Sequence, residues 1–188
     1  MGIKKKFETT YGIESPSGGG GSFLETKEFR PRDFGTDTGC SIIDISGVGN
    51  QSSQTAFSFN SGSYPTGFTA FQFPSDWDGG DVEFRVLTSV STTGSGNYSL
   101  TLYGDQADGG DIEGAAAPFY GTGAIAAPLS DDVFVDTGWF GPTSSVFGGA
   151  SPGDTVTLRM QQNRATDTYT GAVRVTLVQV RYTRNITF

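Results

Sequence analysis

Apolar and polar residues alternate in short runs along most of the chain, the period of a strand with one face buried. "QTAFSFN" puts Phe57 and Phe59 on one face, and "GFTAFQF" does the same with Thr69, Phe71 and Phe73. In "GDVEFRVLTS", Val82, Phe84 and Val86 point one way while Asp81, Glu83 and Arg85 point the other. "NYSLTLYGD" sets Tyr98, Leu100 and Leu102 inward, "DDVFVDTGWF" sets Val133 and Val135, and "DTVTLRMQQ" sets Val156, Leu158 and Met160. "GCSIIDISGVG" adds a strand around Ile42–Ile45. In "GAVRVTLVQVRY", Val173, Val175 and Leu177 are in phase, and Val178, Val180 and Tyr182 then take over. That slip of one residue predicts a bulge, or a strand buried on both faces.

Turn-forming stretches separate the runs: "NSGSYPTG", "STTGSGN", "DQADGGD", "PTSSVFGGASPGD" and "NRATDTYTG". Seven or more short strands with no crossover helix predict an all-β fold, an antiparallel β-sandwich and specifically a jelly roll. "DIEGAAAPFYGTGAIAAP" is the least strand-like interior segment and reads as a long loop or a short helical turn. In "FQFPSDWDGGDVEFRV", Pro74 ends one strand and Asp78-Gly79-Gly80 tolerates positive φ, so the insert reads as a corner closed by Trp77.

The first 52 residues break the alternation. "ESPSGGGGS" (Glu14 to Ser22) is a flexible linker by composition. Ahead of it stand Lys4, Lys5, Lys6, Phe7 and Tyr11. After it, "SFLETKEFRPRDFG" carries Phe23, Leu24, Phe29 and Phe34 at irregular spacing, with Pro31 breaking any helix. Isolated apolar residues on an irregular arm are costly in water. These nine residues are therefore read as docking residues, toward the chain's own domain or a neighbour, against the alternative of a disordered leader. The expected division is residues 1–52 as an attachment arm and 53–188 as the β-sandwich.

Charge and composition narrow the function. The 20 Asp and Glu exceed the 12 Lys and Arg, giving a net charge of −8, which opposes nucleic acid as a partner. Setting Lys4–Lys6 aside leaves 9 cations against the 20 carboxylates, so a basic head precedes an acidic body able to meet an acidic surface through that head. No apolar run approaches the roughly 20 residues that span a bilayer. The start has no signal-peptide apolar segment, so synthesis in a cytoplasm without membrane insertion is expected. Cys40 is the single cysteine and can form no intrachain disulfide.

The chain has no histidine, which removes Ser-His-Asp and Cys-His catalysis and His-based metal sites. No phosphate loop ending in Gly-Lys-Ser/Thr is present. A glycosidase needs two carboxylates, and with 20 acids chance pairs carry no information. No enzyme activity, cofactor or resident metal is therefore expected. Asp76, Asp78 and Asp81, or Asp105, Asp108 and Asp111, form the alternative of a calcium loop. Trp139, Tyr120 and Tyr169 sit in or beside loops, where they either stack a sugar or cap the core.

Three stretches, "FPSDWDGGDVEFRV", "GNYSLTLYGDQADGGDIEGA" and "SPGDTVTLRMQQNRATDTYTGAVRVTLVQVRY", resemble a C-terminal domain recurrent in structural proteins of tailed phages. The likeness runs over roughly residues 55–183. It rests on Pro74–Gly79, Ala107–Asp111, Pro152–Asp154, Arg159 or Arg164, and Tyr182. Where that family usually has a Trp, this chain has Leu102 or Tyr103. The resemblance implies a non-enzymatic virion part, a capsid decoration or head fibre held by its N-terminal arm. It would be a homotrimer in contact with other virion proteins such as the major capsid protein. The alternative is a tail-fibre or spike tip that recognises host surface glycans.

Overall fold

The computed structural model describes residues 20–36, 39–45, 54–60, 62, 64–92, 94–106, 119–129, 133–143, 147 and 150–186. Fourteen strands are found among them. They are β1 (Gly21–Phe29), β2 (Gly35–Thr36), β3 (Cys40–Ile45), β4 (Gln54–Phe59), β5 (Thr66–Gln72), β6 (Trp77–Val90) and β7 (Asn97–Tyr98). There follow β8 (Leu100–Gln106), β9 (Phe119–Gly121), β10 (Ile125–Ala126), β11 (Val135–Asp136), β12 (Phe140–Thr143), β13 (Thr155–Gln162) and β14 (Val173–Ile186). Pro31–Asp33 forms a single 3₁₀ turn, with Pro31 at its start, where a missing N–H costs nothing.

All the strand pairs are antiparallel, and the strands form two large sheets. In sheet A the long strands β6 and β14 pair at the centre. β11 and β12 line the outer edge of β6, while β4 and β1 divide the other edge of β14, and β3 follows β4. Sheet B runs β2-β5-β13-β8-β9. β7 and β10 make a small separate ribbon. The inward rows of the two large sheets meet in one core that includes Phe57, Phe59, Phe71, Phe73, Val82, Phe84, Val86, Leu100, Leu102, Val156, Leu158, Met160, Val178 and Val180. The expected antiparallel β-sandwich is the observed fold.

The slip in the last strand is a bulge: Val175 faces Thr88 and Leu177 faces Leu87, leaving Thr176 unmatched. Close approach between the sheets is set partly at Gly67, where a Cβ would stand 2.3 Å from the Phe57 ring. The DGGD segment is different from the corner expected. The turn lies at Ser75–Asp76, and β6 already begins at Trp77. Arg184 pairs with Trp77 and Tyr182 with Val82, so β6 spends extra residues there, and Gly79 at φ 73° makes that bulge possible. Trp77 closes the end of the core as expected, stacked on Phe73 with centroids 3.9 Å apart. Val133, expected inward, is 46% exposed, because only Val135 and Asp136 of its run pair with β6.

Part of the segment read as an arm belongs to the sandwich. β1 pairs with β14 over nine residues, from Gly21 opposite Ile186 to Phe29 opposite Val178. Phe29 and Phe34 are each 4% exposed, in ring contact with Phe71 and Phe57 respectively. Of the two targets the sequence left open, these two rings dock on their own domain and are not available to a partner. The expected boundary between residues 52 and 53 falls outside the described residues, as do Lys4, Lys5, Lys6, Phe7 and Tyr11.

Candidate ligand-binding face

Each sheet presents an outer face, and the two differ in how their polar groups are used. On sheet A the strand alternation brings opposite charges into rows. Arg181 of β14 meets Glu83 of β6 at 2.7 Å, and Trp139 lies on the Arg181 guanidinium, 4.1 Å from its ring centroid. Arg85 of β6 binds Asp136 of β11 through Nε, with distances of 2.9 and 3.1 Å to the two carboxylate oxygens, and through a second contact from its Nη2. Gln179 Nε2 donates to Glu28 across β14 and β1 at 2.7 Å. A shallow depression lined by Arg85, Leu87, Asp136, Leu177 and Gln179 lies between these rows. The cations and carboxylates of these rows neutralise one another.

At the end of sheet A, Arg184 holds Asp76 through two hydrogen bonds of 2.6 and 2.7 Å and Glu25 through one of 2.6 Å, above the ring of Phe23. Phe23 therefore lies half-buried beneath this cluster, whereas Leu24 points to solvent, 57% exposed. Burial and the neighbouring Glu25 carboxylate push the Tyr182 hydroxyl up to about 12. Asp76, one member of the calcium alternative, is thus taken by a guanidinium, and Asp78 accepts the Gly80 N–H at 2.8 Å. Among the described residues no group of three or more acidic, Cys or His side chains could hold a metal ion. Asp108, Asp111 and the side chain of Asp105 lie outside the description.

The Arg85–Asp136 pair gives a pH prediction. Arg85 and the Gly138 N–H hold the Asp136 carboxyl down at about 2, from an ordinary 3.8. A depressed folded-state pKa contributes stability above the unfolded value, and that contribution is lost as pH falls from about 4 through about 2. Asp76 is lowered in the same direction, by Arg184. Asp136→Asn should flatten the acid decline in urea-unfolding midpoints between pH 4 and pH 2. A decline identical to the parent's would show that solvent screening leaves the pair without weight.

Sheet B's outer face is organised otherwise. β5, β13 and β8 alternate so that Phe71, Leu158, Met160 and Leu102 point inward while Phe68, Thr157, Arg159, Gln161, Thr101 and Tyr103 point out. The register sets Phe68, Arg159 and Tyr103 side by side across the three strands. The Phe68 ring is 46% exposed and lies over Gly35 of β2, where a Cβ would come within 2.7 Å of it. Arg159 stacks on Tyr103 at 4.5 Å from the ring centroid. Tyr103 donates its hydroxyl to Gln161 Oε1 at 3.0 Å, and Gln161 Nε2 donates to Thr66 Oγ1 at 3.1 Å. The face thus joins two rings, a guanidinium, an amide and several threonine hydroxyls.

Of the aromatic residues singled out from sequence, Trp139 lies half-buried on the outer face of sheet A and the Tyr120 side chain is outside the description. Tyr169 is 4% exposed, packs against Tyr98, and donates its hydroxyl to the Thr92 carbonyl at 2.9 Å, so its ring is not presented to a sugar. Phe68 and Tyr103 sit within strands, whereas the rings that the sequence marks out stand in or beside loops. Their signal lay in the alternation itself: Phe68, in "TGFTAFQ", is out of phase with the inward Phe71.

No protein-family model matches the chain, and no curated protein matches it. Solved structures do. The Arthrobacter globiformis isomalto-dextranase complexed with panose superposes at a TM-score of 0.53 and 18% identity, over 82% of this chain. This chain spans only 23% of that enzyme. A xylan-binding domain from Paenibacillus barcinonensis matches at a TM-score of 0.48 and 10% identity, covering 83% of this chain and 92% of that domain. A carbohydrate-binding module of a Cellvibrio mixtus lichenase, in complex with cellotriose, gives 0.48 and 12%, covering 86% and 98%. The first likeness shows a shared fold, which does not dictate function.

Proposed function

We propose that the protein is a non-enzymatic recognition module that holds a glycan on the outer face of sheet B. The observation that carries this reading is the row Phe68–Arg159–Tyr103 beside the Tyr103–Gln161–Thr66 hydrogen-bond chain. A sugar ring has apolar C–H faces and a rim of hydroxyls. An open sheet offering flat rings at one spacing and amide and hydroxyl groups at the next matches both. Nucleotide bases also stack on rings, but a net charge of −8 opposes a phosphate backbone.

On this reading, Phe68→Ala combined with Tyr103→Ala should lower affinity for array-selected glycans more than tenfold, since it removes both rings of the row. The fold should survive, because both rings lie on the outer face and neither belongs to the buried core. Unchanged binding in the double variant, with loss on Trp139→Ala, would place the site on sheet A instead.

A second reading, attachment to a particle, is favoured by one observation: β1 begins at Gly21, inside the Gly-rich stretch Glu14–Ser22. The sandwich therefore follows directly on a linker-like sequence that carries Lys4–Lys6 ahead of it. The module would then be borne on a phage particle, as the resemblance implies, self-associated and anchored to virion proteins through that head. Quantitative mass spectrometry of purified particles should find it at a fixed ratio to the major capsid protein. Its absence from the particles would end this second reading and leave the glycan-binding one intact.

A further inference from the structure

We infer that the glycan taken by sheet B's outer face is acidic and that Arg159 binds its carboxylate; this rests on the reading of that face as the glycan site. The inference comes from how the arginines are used. On sheet A, Arg85 binds Asp136, Arg181 binds Glu83, and Arg184 binds both Asp76 and Glu25. Arg164 donates to the carbonyls of Phe59, Thr170 and Gly171. Arg159, at the middle of β13, has no carboxylate or carbonyl acceptor among the described residues and lies over the ring of Tyr103. In a chain with 20 carboxylates, an arginine left without one at the centre of an open face is a feature of that face.

The stacked geometry fits the role. A guanidinium carries its five N–H donors in one plane, and contact with a ring face uses none of them. That is the presentation a carboxylate takes with two parallel hydrogen bonds. Tyr103 holds the guanidinium on one side, while Phe68 flanks it across β5 with a ring for the sugar's apolar face. Gln161, two residues along β13, accepts from the Tyr103 hydroxyl and so fixes the ring that carries the guanidinium.

The test is calorimetric titration of the full chain with polygalacturonate and alginate, and with each polymer after chemical reduction of its carboxyl groups to the neutral sugar. At least one parent polymer should bind more than tenfold tighter than its reduced form, with an affinity that falls as salt rises. Arg159→Gln should erase that difference, Arg159→Lys should restore it in part, and Phe68→Ala should weaken acidic and neutral forms alike. Equal affinity for parent and reduced polymers, or a preference that survives Arg159→Gln, would overturn the inference while leaving glycan recognition standing. A glycan array on which only neutral sugars bind would do the same. Binding to no glycan at all would overturn the underlying reading.

Discussion

A chain that begins at Asp37 is expected not to fold. Its loss removes β1, and with it the backbone partner of β14 from Val178 to Ile186. That would leave nine residues of a central strand with an open edge, facing solvent or another chain. It also removes Phe29 and Phe34, both nearly fully buried against Phe71 and Phe57. Deleting a buried Phe side chain costs about 3–5 kcal/mol, and two such losses reach the whole stability of an ordinary domain, about 5–15 kcal/mol. Circular dichroism and urea titration decide the matter. A chain beginning at Gly20, which keeps every one of these contacts, should unfold cooperatively, and the shorter one should show no transition. A cooperative transition in the shorter chain would mean that β1 is a dispensable cover.

The strand runs of the body were legible because each buries one face only, so the core rows of β5, β6, β8 and β13 follow from alternation at Phe71, Phe84, Leu102 and Leu158. The slip in β14 was legible as a change of phase, but the apolar residues put it after Leu177, whereas the bulge falls at Thr176 and turns Leu177 outward. β1 was hidden for a physical reason. Its inward positions are Phe23, Glu25, Lys27 and Phe29, paired opposite Arg184, Tyr182, Val180 and Val178. Two of the four are charged, Glu25 because it pairs with Arg184 at the far end of β14 and Lys27 because its ammonium lies over the Phe71 ring, so the strand shows no apolar period. The DGGD segment misled for the opposite reason: Gly and Asp signal a turn whether the chain reverses or merely bulges, and only the register with β14 separates the two.

The candidate site was legible in composition but not in place. Counting charges shows that most cations must find a carboxylate; it does not say which cation is left over. That depends on cross-strand register, which sets Arg159 opposite Phe68 and Tyr103 and sets Arg181 opposite Glu83. The two outer faces of one sandwich therefore come to differ: one pairs Arg85 and Arg181 with carboxylates, and the other sets Arg159 between Tyr103 and the exposed ring of Phe68.

Phe73→Ala should be the most damaging single substitution, with a loss of about 3–5 kcal/mol. Phe73 is 1% exposed and sits where both sheets and the corner meet. It stacks flat on Trp77 at 3.9 Å and meets Phe71 at 5.0 Å, Phe147 at 5.3 Å and Tyr182 at 5.3 Å, all edge-on. No neighbour can collapse into the vacated space without dragging the β5–β6 corner, because Pro74 and the Phe73 N–H bond to the Asp154 carbonyl fix the backbone there. Phe73→Leu keeps most of the volume and should cost far less, below about 1.5 kcal/mol once repacked. Urea midpoints give the cost, and near-ultraviolet circular dichroism reports whether Trp77 has lost its stacking partner. If Ala and Leu behave alike, the aromatic cluster is not what joins the sheets at this end. The proposed glycan site on sheet B offers a control, since Phe68, Arg159 and Tyr103 lie on the face opposite Phe73. Below the unfolding transition, Phe73→Ala should leave their affinity for ligand unchanged, which separates damage to packing from damage to recognition.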